Sequence, residues 1–365
     1  MTELQALITL NLLPRIGPVR IRHLIRYFGS AEAALGAPRE ALEQVPRCGG
    51  EVAKVILNWE RYGNAEQELE RCAEGGVQVI TPASPEWPVG LRDSRDAPVL
   101  LYVWGTIDER RDQSPVAVVG SRKMTNYGRS VTEQFTKSLA SAGHTIISGL
   151  ALGIDTIAHQ AALEVGQPTI AVLGSGLGAI YPRENLDLAH RIAQCGAVVS
   201  EYPLSTNPDK QTFPQRNRIV AAWSRATLVT EMPERSGAMI TARFARDLGR
   251  PLYAVPGPID RPSSSGCHLL IREGATLVTD PNHLSQELRP QSEQLAFDLE
   301  TPSASPSDLS PEEALVYSKL TSLEQSVEEL HLATELEISE LTSTLLSLEL
   351  QDLALQHPGM TYTLV

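Results

Sequence analysis

Val116-Ala117-Val118-Val119-Gly120-Ser121-Arg122 is a run of apolar, mostly β-branched residues that stops at a glycine and a cation. Five similar runs follow: Thr145-Ile146-Ile147, Thr169 to Leu173, Ala197-Val198-Val199, Thr227-Leu228-Val229 and Leu252 to Val255. Amphipathic stretches of roughly 10–20 residues separate them. Strands that are apolar on both faces and alternate with helices predict a parallel sheet covered on both sides. The expected core is α/β, doubly wound and Rossmann-like, with its sites at the C-terminal ends of the strands.

That core is expected over 76–285. Val77–Ile80 and Val99–Trp104 are short extended runs among prolines, read as strands leading into it. Residues 1–75 read as helical. Leu12-Leu13-Pro14-Arg15-Ile16-Gly17-Pro18 interrupts an apolar helical pattern that resumes with Ile21, Leu24, Ile25 and Phe28. Val45-Pro46-Arg47-Cys48-Gly49-Gly50 is a second interruption. Helix, tight glycine turn, helix is the pattern of a helix–hairpin–helix or sterile-alpha-motif-like module. Its turn N–H groups can hold a phosphate, with Arg15, Arg20, Arg22 and Arg26 as added cations. A helical packing module with solvated arginines fits the same residues, and both readings stay open.

Residues 286–308 shift to Gln, Ser, Pro and acid, which predicts a flexible linker. Residues 309–365 then carry three helix patterns, Pro311–Leu320, Ser326–Leu336 and Ile338–Leu350, and an extended Thr361-Tyr362-Thr363-Leu364-Val365. Three helices with a small β element predict an acidic, winged-helix-like domain. The third helix holds Glu340 and Glu349 and no Lys or Arg, so it does not suit a phosphate backbone. A packing or protein-interaction role is the expected one.

The formal net charge of −13 argues against nucleic acid only until it is located. Leu284 to Val365 holds 15 acidic and 2 basic residues, while the other 283 residues hold 29 of each. The body is neutral and free to carry local basic patches. The four cysteines, Cys48, Cys72, Cys195 and Cys267, form no CxxC pair, so neither a zinc site nor a disulfide framework is expected. They fit a reducing cytoplasm. The N-terminal residues lack a signal-peptide pattern, and no run approaches the length of a membrane span.

Against that neutral body, Lys210-Gln211-Thr212-Phe213-Pro214-Gln215-Arg216-Asn217-Arg218 stands out. Cations can hold phosphates and an aromatic ring among them can stack on a base, the combination that binds single-stranded nucleic acid. Thr212-Phe213-Pro214-Gln215 fits a helix capping box, which adds the partial positive charge of a helix N-terminus. Gly120-Ser121-Arg122 ends the first parallel strand with backbone N–H groups and a guanidinium suited to phosphate. Arg235-Ser236-Gly237 reads as another helix start at the same sheet edge. There Ser236 either binds phosphate or caps the helix. Asp155 and His159 lie one turn apart, but no third metal ligand follows at a suggestive spacing, so a cap and a structural histidine are expected. Gly174-Ser175-Gly176-Leu177-Gly178-Ala179 fits a loose G-x-G-x-x-A dinucleotide fingerprint, with Glu201 as its acidic partner. The chain has no G-x-x-x-x-G-K-[ST] phosphate loop.

Taken together these segments resemble the bacterial DNA-processing protein A family, called DprA or Smf. The resemblance rests on Gly120-Ser121-Arg122, Ser148 to Asp155 with Ala158-His159, Val172 to Gly176, Ser200-Glu201-Tyr202-Pro203, Phe213 to Ile219, Ser236-Gly237-Ala238 with Ile240-Thr241-Ala242, and Val255-Pro256-Gly257. It implies an α/β, extended Rossmann-like core that binds single-stranded DNA without known catalysis, in a protein that protects incoming strands during natural transformation and helps load the RecA recombinase. Arg122, Lys210 and Phe213 become the leading DNA contacts. Gly120, Ser121, Arg216, Asn217, Ser236 and Gly237 complete the expected site, with Arg216 and Asn217 also read as residues that shape it. The resemblance further implies a homodimer, whose contact region is similar to Cys267, His268, Leu269 and Ile271. No catalytic residue, metal or cofactor is expected. The alternative is a Rossmann-fold nucleotide-processing enzyme using the Gly174–Ala179 loop. A third reading is a protein-interaction scaffold led by the acidic tail.

Overall fold

The computed structural model describes residues 1–92, 94, 96–108, 111–113, 115–288, 309–321, 325–350, 353–357 and 360–364. They belong to two compact units, Met1–Leu288 and Arg289–Val365.

The described strands of the first unit form one sheet. They are β1 (Val77–Ile80), β2 (Leu101–Gly105), β3 (Val116–Val119), β4 (Ile146–Ser148), β5 (Thr169–Leu173), β6 (Ala197–Ser200), β7 (Ala226–Val229), β8 (Leu252–Ala254) and β9 (Thr276–Leu277). Their spatial order is β1-β2-β6-β5-β4-β3-β7-β8-β9. Every pairing from β6 across to β9 is parallel, so the doubly wound α/β core is present. β1 and β2 are its antiparallel edge, with Tyr102 opposite Ser200 and Gly105 opposite Ala197. Read from sequence as leading into the core, they instead extend its sheet.

The pleat shows why the apolar runs lack alternation. Val116 and Val118 pack with Phe135 and Leu139 on one face of the sheet. Ala117 and Val119 pack with Ile219 and Met239 on the other. Trp223, fully buried, closes that second face and donates from Nε1 to the Asp112 carbonyl at 2.9 Å.

The N-terminal helices run Glu3–Leu12, Pro18–Phe28, Ala31–Leu35, Arg39–Gln44, Gly50–Leu57 and Ala65–Glu74. Two turns with the same Pro-Arg-x-Gly sequence, at Pro14–Gly17 and Pro46–Gly49, precede the second and fifth of them. In both, the arginine takes the left-handed conformation, φ 65° at Arg15 and 66° at Arg47. Arg20 ties the turns together, donating to the Arg47 carbonyl at 2.9 Å and the Arg15 carbonyl at 2.7 Å. This module also holds the chain that leaves β6. The Asn11 amide donates to the Glu201 carbonyl at 3.0 Å. The Leu204 N–H donates to the buried Glu68 carboxylate at 2.7 Å.

A helix over Pro281–Glu287 closes the first unit. The expected linker, 286–308, begins at its end, and 289–308 lie outside the described residues. The second unit is a winged helix, with helices Pro311–Lys319, Val327–Thr334 and Ile338–Leu350. Its small sheet orders β10 (Gln325–Ser326), β12 (Thr361–Leu364) and β11 (Ala354–His357). Reciprocal capping boxes, Ser310 with Glu313 and Ser326 with Glu329, start its first two helices. Val316, Leu330, Leu341, Leu345 and Tyr362 form its core.

Candidate nucleic-acid interface

The chain lays β4, β5 and β6 on one side of β3 and β7, β8 and β9 on the other. β3 and β7 therefore flank the point where the winding reverses, which is where an open α/β sheet leaves a crevice. A cleft of about 680 Å³ lies there. Gly120, Ser121, Arg122, Lys210, Phe213, Arg216, Asn217, Ser236 and Gly237 all line it. Residues from three separate segments thus meet on one surface.

The loop after β3 is held by its neighbours. A Cβ on Gly120 would come within 2.6 Å of Ile154 Cγ1 and 2.7 Å of the Glu231 carbonyl, so this close approach requires glycine. The Ser121 N–H donates to the same carbonyl at 2.8 Å. The Glu231 carboxylate accepts from the Thr125 N–H at 2.8 Å and its hydroxyl at 2.6 Å. Ser121 itself is turned inward, its hydroxyl donating to the Lys123 carbonyl and accepting from the Lys123 N–H, both at 3.0 Å. It shapes the loop; the exposed groups are Arg122 and Lys123.

Arg122 lies over the ring of Phe213, with 5.3 Å from guanidinium carbon to centroid. Tyr181 meets the same ring at 5.6 Å and a 47° tilt, and it exposes 46% of its surface. Phe213 is half-buried because its edge fits against Gly174, where a Cβ would lie 2.9 Å from Cδ1. Arg122, Lys123, Lys210 and Arg235 are exposed lining cations, and none has an ion-pair partner among the described residues. Asn217 donates to the Gly237 carbonyl at 3.2 Å, joining the two helices that floor the cleft. Ser236 caps the Gly237–Asp247 helix by accepting from the Ala238 N–H at 3.2 Å, and lines the cleft as well. Lys123, Arg235 and Tyr181 were not singled out as site residues from sequence. Lys123 adjoins Gly120-Ser121-Arg122 and Arg235 adjoins Ser236, so adjacency was an available signal for both. Tyr181 reaches Phe213 only through folding.

Arg216 corrects the expectation that it offers its charge to a ligand. It is buried, donating to the carbonyls of Gly149 and Val172 and to the Asn217 side chain at 3.1 Å. Burial pulls its pKa down to about 10, and Asp155 opposes that shift. Asp155 accepts from the N–H groups of Gly149 and Ala151 at 3.1 and 3.3 Å. Burial raises its pKa, with Arg216 opposing. Together they fasten the loop after β4 to the Thr212–Trp223 helix. Among the described residues no group of three His, Cys, Asp or Glu is placed to hold a metal ion.

His159 is structural. Thr169 Oγ1 donates to the Ile146 carbonyl, so His159 Nδ1–H donates to Thr169 at 2.7 Å. Nε2 then lies buried and bare, without an acceptor for a second proton. Burial pulls the imidazole pKa down to about 3. Between about pH 6.5 and that value the unfolded chain binds more protons at this residue than the folded one. Stability therefore falls as pH drops through this window, by up to about 1.4 kcal/mol per unit. Urea unfolding at pH 7, 6 and 5 should show this loss, flattened in His159→Gln. The same pH slope in both proteins would refute the assignment.

Four further expectations change. The Thr212 capping box is not formed: the helix cap is Gln211, without a side-chain bond. Thr212 instead donates to the Asp209 carbonyl at 2.9 Å, and Gln215 accepts from the Tyr202 hydroxyl at 3.2 Å. Arg218 pairs with Glu201 rather than converging on the cleft. That pair also engages the carboxylate read as the acidic partner of the dinucleotide fingerprint. The Gly174–Ala179 loop is closed on itself: the N–H groups of Gly176, Gly178 and Ala179 donate to carbonyls of Thr206, Leu204 and Gly176 at 2.8–3.0 Å. Its glycines serve close packing, which removes the basis for the nucleotide-enzyme reading. Cys267 is fully buried, with burial pushing its thiol up to about 12, so it does not offer a surface to a partner. His268 bonds Gly257, while Leu269 and Ile271 are half-buried. No helix among the described residues is long and apolar enough to cross a membrane.

Comparison with known proteins agrees with this architecture. Residues 78–289 match the model of the DNA recombination-mediator protein A family, and 300–360 match that of the DprA winged helix domain. Protein Smf of Synechocystis sp. is 34% identical over 378 residues, covering 95% of each chain. The X-ray structure of DNA processing protein A from Streptococcus pneumoniae superposes with a TM-score of 0.68 at 33% identity, over 80% of this chain and 99% of that one. DNA processing protein A from Helicobacter pylori, whose structure gave insight into its single-stranded DNA binding mode, superposes with a TM-score of 0.52 at 30% identity, over 61% of this chain and 96% of that one.

Proposed function

The chain belongs to the DNA recombination-mediator protein A family, and from that premise we propose that its cleft binds single-stranded DNA. The observation that carries the reading is the set of exposed cations, Arg122, Lys123, Lys210 and Arg235, that line one cleft with Phe213, Arg122 lying over its ring. The cations take phosphates and the ring takes a base. Backbone and base contacts of this kind tolerate any sequence, as a mediator of recombination requires. The protein acts by binding and assigns the cleft no bond-making chemistry. It protects single strands and hands them to the RecA recombinase in the cytoplasm. A homodimer, with Leu269 and Ile271 near its contact, places two clefts on one strand and raises affinity through effective concentration.

Salt tests the reading. Log affinity for an unstructured oligonucleotide should fall by about 0.7 per phosphate contact per decade of salt. Four contacts predict a slope near about −3. Arg122→Ala and Lys210→Ala should each weaken binding and flatten the slope by about 0.7 in a fluorescence-anisotropy titration. Wild-type affinity and slope in both variants would eliminate the cleft as the binding surface.

A further inference from the structure

A second cleft of about 440 Å³ opens beside the first, between the N-terminal module and the helices Thr212–Trp223 and Gly237–Asp247. The two clefts share Pro214 and Ile240, so one surface continues into the other. The second is lined from the module by Arg20 and Arg47 and from the core by Phe244, which is half-buried. Its carboxylate, Asp96, lies 3.8 Å from Arg22, and its Arg218 is paired with Glu201. Arg20 and Arg47 have no carboxylate partner among the described residues. Arg20 donates to the carbonyls of both hairpin turns, which holds the module's turns in register at the cleft wall.

We infer that this second cleft is a continuation of the DNA path: a strand leaving Phe213 crosses Pro214 and Ile240 and lays its next nucleotides against Arg20, Arg47 and Phe244. The inference rests on the first-cleft reading. Cations beside an aromatic ring repeat the chemistry of the first cleft. Ile240 and Phe244 are one helical turn apart, about 6 Å along the axis, a rise that suits an extended single strand. The helical module, attached to the loop after β6 through Asn11 and Glu68, then becomes part of the binding surface.

The test uses the full chain with oligothymidylates of about 6 and about 20 nucleotides. Arg47→Gln combined with Phe244→Leu should lower affinity for the longer strand roughly tenfold and affect the shorter one far less. Arg47 is exposed and leucine keeps an apolar side chain at 244, so the fold is retained. Arg47→Gln alone isolates the charge contribution and should flatten the salt slope for the longer strand. Equal losses on both lengths, or none on either, would overturn the continuation. Lys210→Ala separates the two readings, because it should weaken both lengths. If it weakens neither while the Arg47 and Phe244 variant still weakens the longer strand, the first cleft fails and the arginine cleft stands as the binding surface.

Discussion

Replacing Arg216 with leucine should lower folding stability by about 3–5 kcal/mol, the cost of breaking a buried charge arrangement from one side. The guanidinium is enclosed and donates to the Gly149 and Val172 carbonyls. Leucine satisfies neither carbonyl. It also leaves Asp155, already disfavoured as an anion by burial, without its cationic neighbour. Lysine does not rescue, since a point charge on a flexible stem cannot present donors to two carbonyls in the geometry of a guanidinium fork. Urea denaturation measures the loss. A drop under about 1 kcal/mol would show that the loop after β4 is held by something else. Adding Asp155→Asn should cost less than the sum of the separate changes, because the two residues act on one loop.

Phe213→Leu should cut affinity for single-stranded DNA by roughly 5- to 150-fold, the equivalent of about 1–3 kcal/mol for one stacked base. Leucine still fills the space against Gly174, so the fold survives while the flat face is lost. The salt dependence distinguishes this effect from that of a cation. No charge is removed, so affinity should fall while the slope against salt stays at the wild-type value. A flattened slope would mean that Phe213 acts by positioning Arg122, which rests on its ring. Wild-type affinity would remove Phe213 from the site. Anisotropy at several salt concentrations answers both questions.

The parallel sheet was legible because its signal is local and repeated. Val116–Val119 and Thr169–Leu173 need only be apolar on both faces to announce buried strands, and the turns after them carry glycine for close approach. The cleft was legible to the extent that its residues cluster in short segments at strand ends. Charge was where sequence reasoning failed. Arg216 and Arg218 are two positions apart, and both read as cations among cations. One turned inward to carbonyls that lie 44 and 67 residues away in the chain, and the other found Glu201. Lys210, on the same segment, stayed exposed. Thr212 showed the same limit: its hydroxyl is taken by the backbone of Asp209, accepting from the N–H and donating to the carbonyl, so the capping box does not form.

Sequence by itself determined the α/β core, the helical module before it, the winged helix after it and the neutral body that makes room for a basic cleft. These follow from hydrophobic period, turn chemistry and charge counts, which act over a few residues. Only the tertiary structure decided which cations are spent and which are free. It also brought Tyr181 to Phe213, closed the Gly174 loop against Leu204 and Thr206, and opened the arginine cleft next to the first. The reason is that desolvation and pairing depend on what folding brings near a group, and a charge run in sequence does not say which of its members will be buried.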